Sequence, residues 1–341
     1  MKKRIVKIIS MLILSSLLLS NLAFGAYAEQ AQSSALMLDC KSSVLMEAET
    51  GKILYCNNEN EQLPPASVTK VMTLLLVMEA IEEGRLKYDD ILTASEHACS
   101  MGGSQIFLEP GEKMSVDDLL KSVVISSAND AAVTLAESIS GTEEAFVASM
   151  NERARELGME NTNFENTNGL DDTTQNHVTS ALDIAIMSRE LIKYPKITEY
   201  SSIWMDTIRN GEFGLSNTNR LIRFYKGATG LKTGSTAKAG FCITATATRD
   251  GMTLIAVIMG SPSRDARNNA ATALLNYGFS NFTLFRNSVG AHTVNVVSGK
   301  KNICSAEEQG IVAVIEKKNI NKVSKSIEIS NTVKAPVSLG Q

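Results

Sequence analysis

FCITATATRDGMTLIAVIM, residues 241–259, decides the fold of this chain. Residues 241–248 and 253–259 are apolar runs rich in β-branched side chains, which favour strands. Arg249-Asp250-Gly251 lies between the two runs and has the composition of a tight turn. The stretch therefore predicts two antiparallel strands joined by a short loop.

A second strand pair lies near the start of the chain. Residues 43–48 and 52–56 are short apolar runs joined by Glu49-Thr50-Gly51, which predicts another hairpin. Most of the chain between the two strand pairs has helical patterns. Strands at both ends with helices between them predict an α+β fold, in which helices cover an antiparallel sheet, rather than repeated βαβ units.

Six segments of the chain are predicted to be helices. Residues 68–84 are apolar on nearly all faces and end in Gly84, which predicts a buried central helix. Ser115 is the predicted cap of a helix that runs to residue 125. The other predicted helices cover residues 130–140, 143–157, 181–191 and 267–277, and glycines at positions 141, 158 and 278 are predicted to end three of them.

The first 28 residues have the pattern of a secretory signal peptide. Met1-Lys2-Lys3-Arg4 is basic, residues 8–19 are apolar, and Ala26-Tyr27-Ala28 has small residues at the two positions that a signal peptidase reads. The alternative is an uncleaved anchor helix, but the apolar run is shorter than the ~20 residues that a membrane span needs. We therefore expect an exported protein that works outside the cytoplasmic membrane.

The rest of the chain is predicted to form two domains. Residues 29–280 contain both strand pairs and all six predicted helices. Residues 281–341 are valine-rich and alternate in polarity at 292–297 and 311–316, which predicts a small all-β C-terminal domain. A tail without packed structure is the alternative.

Composition limits the partners and cofactors of the chain. A net charge of −4 argues against nucleic acid as a partner, because phosphate binding needs a clustered basic surface. The five cysteines have no Cys-x-x-Cys spacing and the three histidines no metal-ligand spacing, so we expect no metal and no cofactor. Free or buried thiols are predicted for the cysteines, and a Cys40–Cys56 bridge stays open.

Three short motifs indicate a serine active site without histidine. They are Ser67-Val68-Thr69-Lys70, Ser127-Ala128-Asn129 and Lys232-Thr233-Gly234. Taken singly, such motifs are more often a helix start, a helix cap and a strand end, and Ser-x-x-Lys recurs at Ser235 and Ser298. All three in this order, in an exported chain, favour the functional interpretation.

Lys70 is the base that the sequence offers to the hydroxyl of Ser67. Positions i and i+3 share a helix face, so the two side chains are expected to be adjacent. A serine hydroxyl becomes a good nucleophile only when a base takes its proton. The apolar helix around Lys70 disfavours the charged amine and lowers its pKa, so a neutral Lys70 is predicted to accept that proton.

The other two motifs supply further groups for acyl transfer. Ser127 is a second hydroxyl that can relay a proton to a leaving amine, and the carboxamide of Asn129 can hold a substrate amide. Lys232 and Thr233 on a strand edge suit an anionic group, and Gly234 leaves room for a substrate backbone. Together they predict acyl transfer from a peptide that ends in a free carboxylate.

Four charged residues of the predicted helices are expected to lie on solvated helix faces. They are Glu143, Glu144, Arg153 and Arg155. Residues 161–176 are predicted to be a long loop, beside which His177 is either solvated or lines the cleft.

The chain closely resembles the low-molecular-weight penicillin-binding proteins that are serine-type D-alanyl-D-alanine carboxypeptidases. Besides the three motifs, the likeness includes Pro64-Pro65-Ala66, Met101-Gly102-Gly103-Ser104, Asn129-Asp130-Ala131-Ala132, Met150-Asn151-Glu152, Asn168-Gly169-Leu170, His177 and Asp183. Gln105 after the Gly-Gly-Ser and the stretch Trp204-Met205-Asp206-Thr207 are most similar to the sporulation-associated branch. The resemblance implies a β-lactamase/transpeptidase-like fold followed by the small β domain.

The resemblance also implies roles for the site residues. Ser67 would be the acylated nucleophile, Lys70 the general base and Ser127 the proton relay. The implied substrate-binding residues are Asn129, Lys232, Thr233, Gly234 and Ser235, with the backbone amides of Ser67 and Ser235 forming an oxyanion hole. Arg264 and Arg267 follow the strand pair as the family's arginine region does, and are candidates for binding the substrate carboxylate.

The implied reaction removes the terminal D-alanine from peptidoglycan stem pentapeptides, for cell-wall remodelling. The implied partners are a stem peptide ending in D-Ala-D-Ala and β-lactam antibiotics as covalent inhibitors, with no cofactor and no nucleic acid. Relatives usually continue past Ala335-Pro336 and end in an amphipathic helix on the outer face of the cytoplasmic membrane. This sequence stops at Gln341, so either the C-terminal domain is incomplete here or the protein is a shortened, unanchored form.

Two other functions share part of this pattern. A serine β-lactamase has the same three motifs, but residues 164–170 read FENTNGL and lack the Glu-x-x-Leu-Asn form of its loop. A non-catalytic penicillin-binding or wall-binding module would not need the intact pair of Ser67 and Lys70.

Overall fold

A five-stranded antiparallel sheet forms the centre of the fold. Its strands are β1 (Ser42–Glu47), β2 (Ile53–Asn57), β7 (Ala228–Thr236), β8 (Gly240–Arg249) and β9 (Met252–Ser261). This computed structural model describes residues 36–172, 174–299, 301–308, 310–326 and 328–336. The order across the sheet is β2–β1–β9–β8–β7, and the predicted signal peptide, residues 1–28, lies outside the described residues.

The two predicted strand pairs join in the middle of this sheet. β1 pairs with β9 in antiparallel register, with Leu45 opposite Ala256. The side chains from Leu254 to Met259 are fully buried, because helices pack on both faces of the sheet. The predicted antiparallel sheet covered by helices is thus confirmed.

Helices occupy the chain between β2 and β7 and follow β9. They are α1 (Lys70–Glu82), α2 (Glu96–Cys99), α3 (Val116–Lys121), α4 (Asn129–Ser140), α5 (Glu143–Glu156), α6 (Ala181–Leu191), α7 (Pro195–Ser201), α8 (Leu221–Phe224) and α9 (Arg264–Asn281). α1 is the predicted buried central helix, and a 3₁₀ turn, Ala66–Thr69, precedes it. The hydroxyl of Ser115 caps α3 as predicted, by accepting from the amide of Asp118.

The second motif lies at the joint between two helical segments, as the sequence predicts. A π-helical turn, Ser122–Ser126, extends α3 and ends at Ser127. Ser127 has a left-handed backbone with φ of 64°, which turns the chain out of the helix. α4 then begins at Asn129, so both polar residues of the motif sit at this turn.

Gly278 does not end the last helix, contrary to prediction. α9 begins at Arg264 and continues to Asn281, so Gly278 is buried inside it. A Cβ at Gly278 would lie 2.5 Å from Leu254 Cδ1 and 2.9 Å from Leu45 Cδ2. The glycine therefore lets α9 approach the central sheet closely, which is a packing role rather than a capping role.

Small sheets complete the fold. Two small antiparallel sheets pair β3 (Ile91–Thr93) with β4 (Lys113–Ser115), and β5 (Met205–Ile208) with β6 (Phe213–Ser216). In the C-terminal part, β10 (Phe282–Arg286) pairs with β13 (Val312–Glu316), while β11 (Ala291–Val297) lies between β12 (Ile303–Glu307) and β14 (Thr332–Lys334). These short sheets confirm a small β-rich C-terminal region. The domain boundary at residue 280 stays a prediction.

The five cysteines have free thiols, so the possible Cys40–Cys56 bridge is not formed. Cys242 is buried on β8, where burial raises the pKa of its thiol to about 11. Among residues 36–336 as described, no helix is long and apolar enough to cross a membrane. The same residues contain no cluster of three or more side chains that could hold a metal ion.

Gly278→Ala is expected to destabilise the protein by about 1–3 kcal/mol, because the added methyl group overpacks the contact between α9 and the sheet. Urea denaturation measures this change in the free energy of unfolding. Gly214→Ala, in β6, is the matched control, since a Cβ there would meet no atom within 4 Å. Equal stability of the two variants would contradict the packing role of Gly278.

Candidate active site

The three sequence motifs meet at one cavity of about 450 Å³. Five of the predicted site residues line this cavity: Ser67, Ser127, Thr233, Gly234 and Ser235. The other three, Lys70, Asn129 and Lys232, are each at most 2% exposed and are hydrogen-bonded to one another or to the lining serines. The structure thus brings together all eight residues that the sequence singles out.

The amine of Lys70 contacts three neutral oxygens. Its Nζ lies 3.0 Å from Ser67 Oγ, 2.5 Å from Asn129 Oδ1 and 2.8 Å from the backbone carbonyl of Asn168. A neutral amine has two N–H groups and one lone pair. The N–H groups can donate to the oxygens of Asn129 and Asn168, which leaves the lone pair to accept the hydroxyl hydrogen of Ser67.

The surroundings of Lys70 favour this neutral amine. Burial is the largest cause that holds the pKa of Lys70 well below its ordinary value, and the charge of Lys232 lowers it further. The carboxylate of Asp130 acts in the opposite direction but does not outweigh them. The direction of this pKa shift agrees with the sequence prediction, and it allows Lys70 to act as a base.

Asn129 is bonded at both ends of its carboxamide. Oδ1 accepts from Lys70, and Nδ2 donates to the carbonyl of Gly102 at 2.6 Å. One lone pair and one N–H group remain for a substrate amide. Asn129 therefore holds the Lys70 amine, a contact that the sequence did not predict, and its role on the substrate stays a prediction.

Ser127 is hydrogen-bonded to Lys232. The Nζ of Lys232 donates to Ser127 Oγ at 2.8 Å and to the carbonyl of Thr233 at 2.9 Å. Burial, and secondly the charge of Arg267, lower the pKa of Lys232 to about 7. The charged and neutral forms of this lysine are therefore close in free energy near neutral pH.

Gly234 makes room for the 3₁₀ turn that carries Ser67. A Cβ at Gly234 would lie 2.8 Å from the backbone nitrogen of Ser67 and 2.9 Å from the carbonyl oxygen of Pro65. β7 is an edge strand of the sheet, and the 3₁₀ turn that carries Ser67 packs against it. The sequence predicts space for a substrate backbone at this glycine, whereas the observed close approach is made by the protein's own turn.

The sequence analysis gives no role to a second group of cavity-lining residues. They are Ser104, Trp204, Ser216, Asn217, Thr218 and Arg220. Ser104 and Trp204 appear there only within the family resemblance. The other four lie at the end of β6 or in the segment that follows it, which have no motif of their own. Arg264 and Arg267, named from the resemblance, line the same cavity.

Glu143 is not a solvated helix residue, contrary to prediction. Its Oε1 accepts from the backbone amide and the hydroxyl of Thr167, at 2.9 and 2.7 Å, and its Oε2 lies 2.7 Å from His97 Nε2. The loop folds over the first turn of α5, and its buried donors need an acceptor there. Glu143 thus fixes the residue before Asn168, whose carbonyl contacts Lys70.

The chain matches known proteins over most of its length. The family model described as D-alanyl-D-alanine carboxypeptidase matches residues 28–263. The D-alanyl-D-alanine carboxypeptidase DacF of Bacillus subtilis is 44% identical over 345 residues, which cover 98% of this chain and 88% of that protein.

Solved structures show the same fold. Penicillin binding protein 5 of Haemophilus influenzae has a TM-score of 0.79 and 32% identity, over 91% of this chain and 92% of that one. Penicillin-Binding Protein D2 of Listeria monocytogenes, in its ampicillin-bound form, has a TM-score of 0.66 and 31% identity, over 72% of this chain and 99% of that one. The implied transpeptidase-like fold is therefore confirmed.

Lys232→Met is expected to raise the free energy of unfolding at pH 6, by about 1–3 kcal/mol, because it removes a buried charge. The pKa of Lys232 is about 7 in the folded protein and ordinarily 10.5, so the unfolded chain binds more protons between these values. The destabilising effect of the lysine therefore fades as the pH rises from 7 to 10. Urea denaturation of the wild type and of Lys232→Met across this pH range measures the difference in the free energy of unfolding. A difference that does not decrease as the pH rises would contradict a pKa of about 7 for Lys232 in the folded protein.

Proposed function

The chain belongs to the D-alanyl-D-alanine carboxypeptidase family, and from this membership we propose which of its residues carry the reaction. Ser67 attacks the carbonyl carbon of the penultimate D-alanine in a stem peptide ending in D-Ala-D-Ala. Lys70 takes the hydroxyl proton in this step. The observation that carries the proposal is the Lys70 amine, which is buried among three neutral oxygens with Ser67 Oγ at 3.0 Å.

The attack forms a tetrahedral intermediate with a negative oxygen. Backbone amides of Ser67 and Ser235 stabilise this oxygen, because donors fixed in place cost no reorganisation during the reaction. The packing of Gly234 against the nucleophile turn supports this pairing, since it brings the backbone beside Ser235 close to that of Ser67.

Collapse of the intermediate breaks the peptide bond and releases D-alanine. The leaving nitrogen needs a proton, which passes from the Lys70 ammonium through the hydroxyl of Ser127. Water then attacks the carbonyl carbon of the ester on Ser67 and gives a proton to Lys70. The bond between this carbon and Ser67 Oγ breaks, Oγ takes the proton back from Lys70, and the shortened peptide leaves as the free acid. The contact of Ser127 with Lys232 supports the relay, because it keeps the hydroxyl hydrogen-bonded while it exchanges a proton.

Cationic groups bind the terminal carboxylate of the substrate. Lys232 and the hydroxyl of Thr233 hold this group, and Arg264 and Arg267 add positive charge to the same cavity. Asn129 holds the amide of the acyl donor. β-Lactams acylate Ser67 by the same attack, as the ampicillin-bound relative from Listeria suggests.

We also propose that the enzyme acts on the wall side of the cytoplasmic membrane and associates with its outer face. The basic and apolar residues 1–28 and the polymeric substrate support this location. The pattern at Trp204-Met205-Asp206-Thr207 supports a place in the sporulation-associated branch.

Intact-mass spectrometry tests the proposed reaction. We expect a long-lived penicilloyl adduct on Ser67 with benzylpenicillin, release of D-alanine from a diacyl-Lys-D-Ala-D-Ala peptide, and loss of both in Ser67→Ala. Rapid drug hydrolysis without an adduct would instead indicate a β-lactamase. Inertness to both compounds would indicate a binding module.

Lys70→Met is expected to slow penicillin acylation by at least about 10³-fold, because the variant keeps the side-chain volume and loses the base. The matched control is Lys301→Met, which alters another Ser-x-x-Lys motif whose lysine is exposed. Stopped-flow acylation with a fluorescent penicillin measures both rates. A mild loss in Lys70→Met would show that another group serves as the base.

A further inference from the structure

His177 is buried beside the nucleophile turn. Its side chain is 6% exposed, so the solvated placement is wrong, and its ring packs edge-on against Phe164. Single β-bridges hold the next two residues, with Val178 paired to Asn163 and Thr179 to Leu63. The ring of His177 is therefore held by its contact with Phe164, and the backbone that follows it is held by the two bridges.

The hydrogen bonds of His177 select one tautomer. Nδ1 lies 3.0 Å from the backbone nitrogen of Glu165, which can only donate, so Nδ1 carries no hydrogen and accepts this bond. The hydrogen of the neutral ring is then on Nε2, which lies 2.8 Å from Thr69 Oγ1. His177 thus donates to Thr69 and accepts from Glu165.

The hydrogen bond from His177 to Thr69 connects the imidazole to the turn that carries Ser67. The hydroxyl of Thr69 donates in turn to the carbonyl of Ala66 at 2.8 Å. Ala66 has a left-handed backbone with φ of 48°, which is unfavourable for alanine and needs support from its neighbours. The His177–Thr69–Ala66 chain supplies such support one residue before Ser67.

The bond to Glu165 leads to the general base. Glu165 begins the loop segment that delivers the Asn168 carbonyl to the Lys70 amine at 2.8 Å. Gly169 in the same segment packs directly against the turn that carries Ser67. A Cβ at Gly169 would lie 1.8 Å from the carbonyl oxygen of Ala66, so only glycine permits this approach. His177 is therefore hydrogen-bonded to both of these segments. It bonds through Thr69 to the turn that carries Ser67, and through Glu165 to the loop that contacts Lys70.

We propose that His177 is a positioning residue for acylation, which joins the Ser67 turn to the loop that holds the amine of Lys70. The inference rests on the proposed function of these two residues. A small displacement of Ser67 from Lys70 lowers the acylation rate steeply, because proton transfer and attack need Ser67 Oγ and Lys70 Nζ in hydrogen-bonding contact.

Protonation would break this arrangement. A hydrogen on Nδ1 would face the amide hydrogen of Glu165. Burial lowers the pKa of His177 to about 4, although the carboxylates of Glu165 and Asp171 raise it in part. The ring is therefore neutral, and the link intact, near neutral pH.

Two amide substitutions separate the two bonds of His177. The amide nitrogen of His177→Gln can take the place of Nε2 and keep the donation to Thr69. The shorter side chain of His177→Asn can keep only the acceptance from Glu165. We expect both variants to acylate with a fluorescent penicillin about tenfold to a hundredfold more slowly than the wild type, because each loses one of the two bonds that form the link.

A second pair of variants tests the same link from its other end. Thr69→Ser keeps the hydroxyl and is expected to acylate normally, whereas Thr69→Val removes it and should be as slow as His177→Asn. The double variant His177→Asn with Thr69→Val should be no slower than either single variant, since all three break one link. If His177→Asn fails to fold, Thr69→Ser and Thr69→Val still test the link.

The pH profile distinguishes positioning from a loss of stability. When the loop loosens and water reaches Lys70, the pKa of Lys70 rises, so the acid limb of the acylation profile should move to higher pH in His177→Asn and Thr69→Val. His292→Gln is the control histidine variant, since His292 bonds to Glu308 in the C-terminal region. It should keep the wild-type rate and profile.

The result that overturns the inference is wild-type acylation by His177→Asn and Thr69→Val, or an unmoved acid limb in variants that are slow. Absence of acylation in the wild type would be a different result, because it would reject the proposed function of Ser67 itself.

Discussion

The buried amine of Lys70 is the constraint on which the rest of the site depends. A lysine placed among neutral oxygens and apolar helix residues can lose its proton, because burial penalises the charged form. Asn129 and Asn168 occupy its two N–H groups and direct the lone pair to Ser67. The fold therefore favours a neutral amine, whereas bulk water would keep a lysine protonated.

Close backbone contacts fix Ser67 beside this amine. The 3₁₀ turn of Ser67 lies between the edge strand β7 and the loop after α5, and a glycine on each side permits the approach. Gly234 meets the turn from the strand, and Gly169 meets it from the loop. Because these contacts are backbone to backbone, neither glycine can gain a side chain without moving Ser67.

The sequence predicted the elements and the main side-chain contacts of the site well, because both depend on local patterns. Apolar periodicity located the strand pairs and the central helix, and the spacing of Ser67 and Lys70 predicted their contact. Contacts made by backbone groups have no such signature. The Asn168 carbonyl on Lys70 could not be predicted from residue types, because every residue has a carbonyl group.

Tertiary packing also overrode two local patterns. Gly278 has the sequence of a helix stop but serves the contact between α9 and the sheet, and Glu143 looks like a surface residue but accepts from a buried loop. In both cases a partner that is distant in the chain decides the role. Such pairs could be inferred only once the sheet and the loop were in place.

The pKa of Lys70 is the quantity that tests this account most directly. Protein labelled with ¹³C at lysine Cε, with the Lys70 signal assigned by its loss in Lys70→Met, can be titrated by NMR. If Lys70 is the base, the midpoint lies well below the ordinary lysine value of 10.5. A midpoint at or above 10.5 would mean that Lys70 is charged when substrate binds, and would contradict its role as the base.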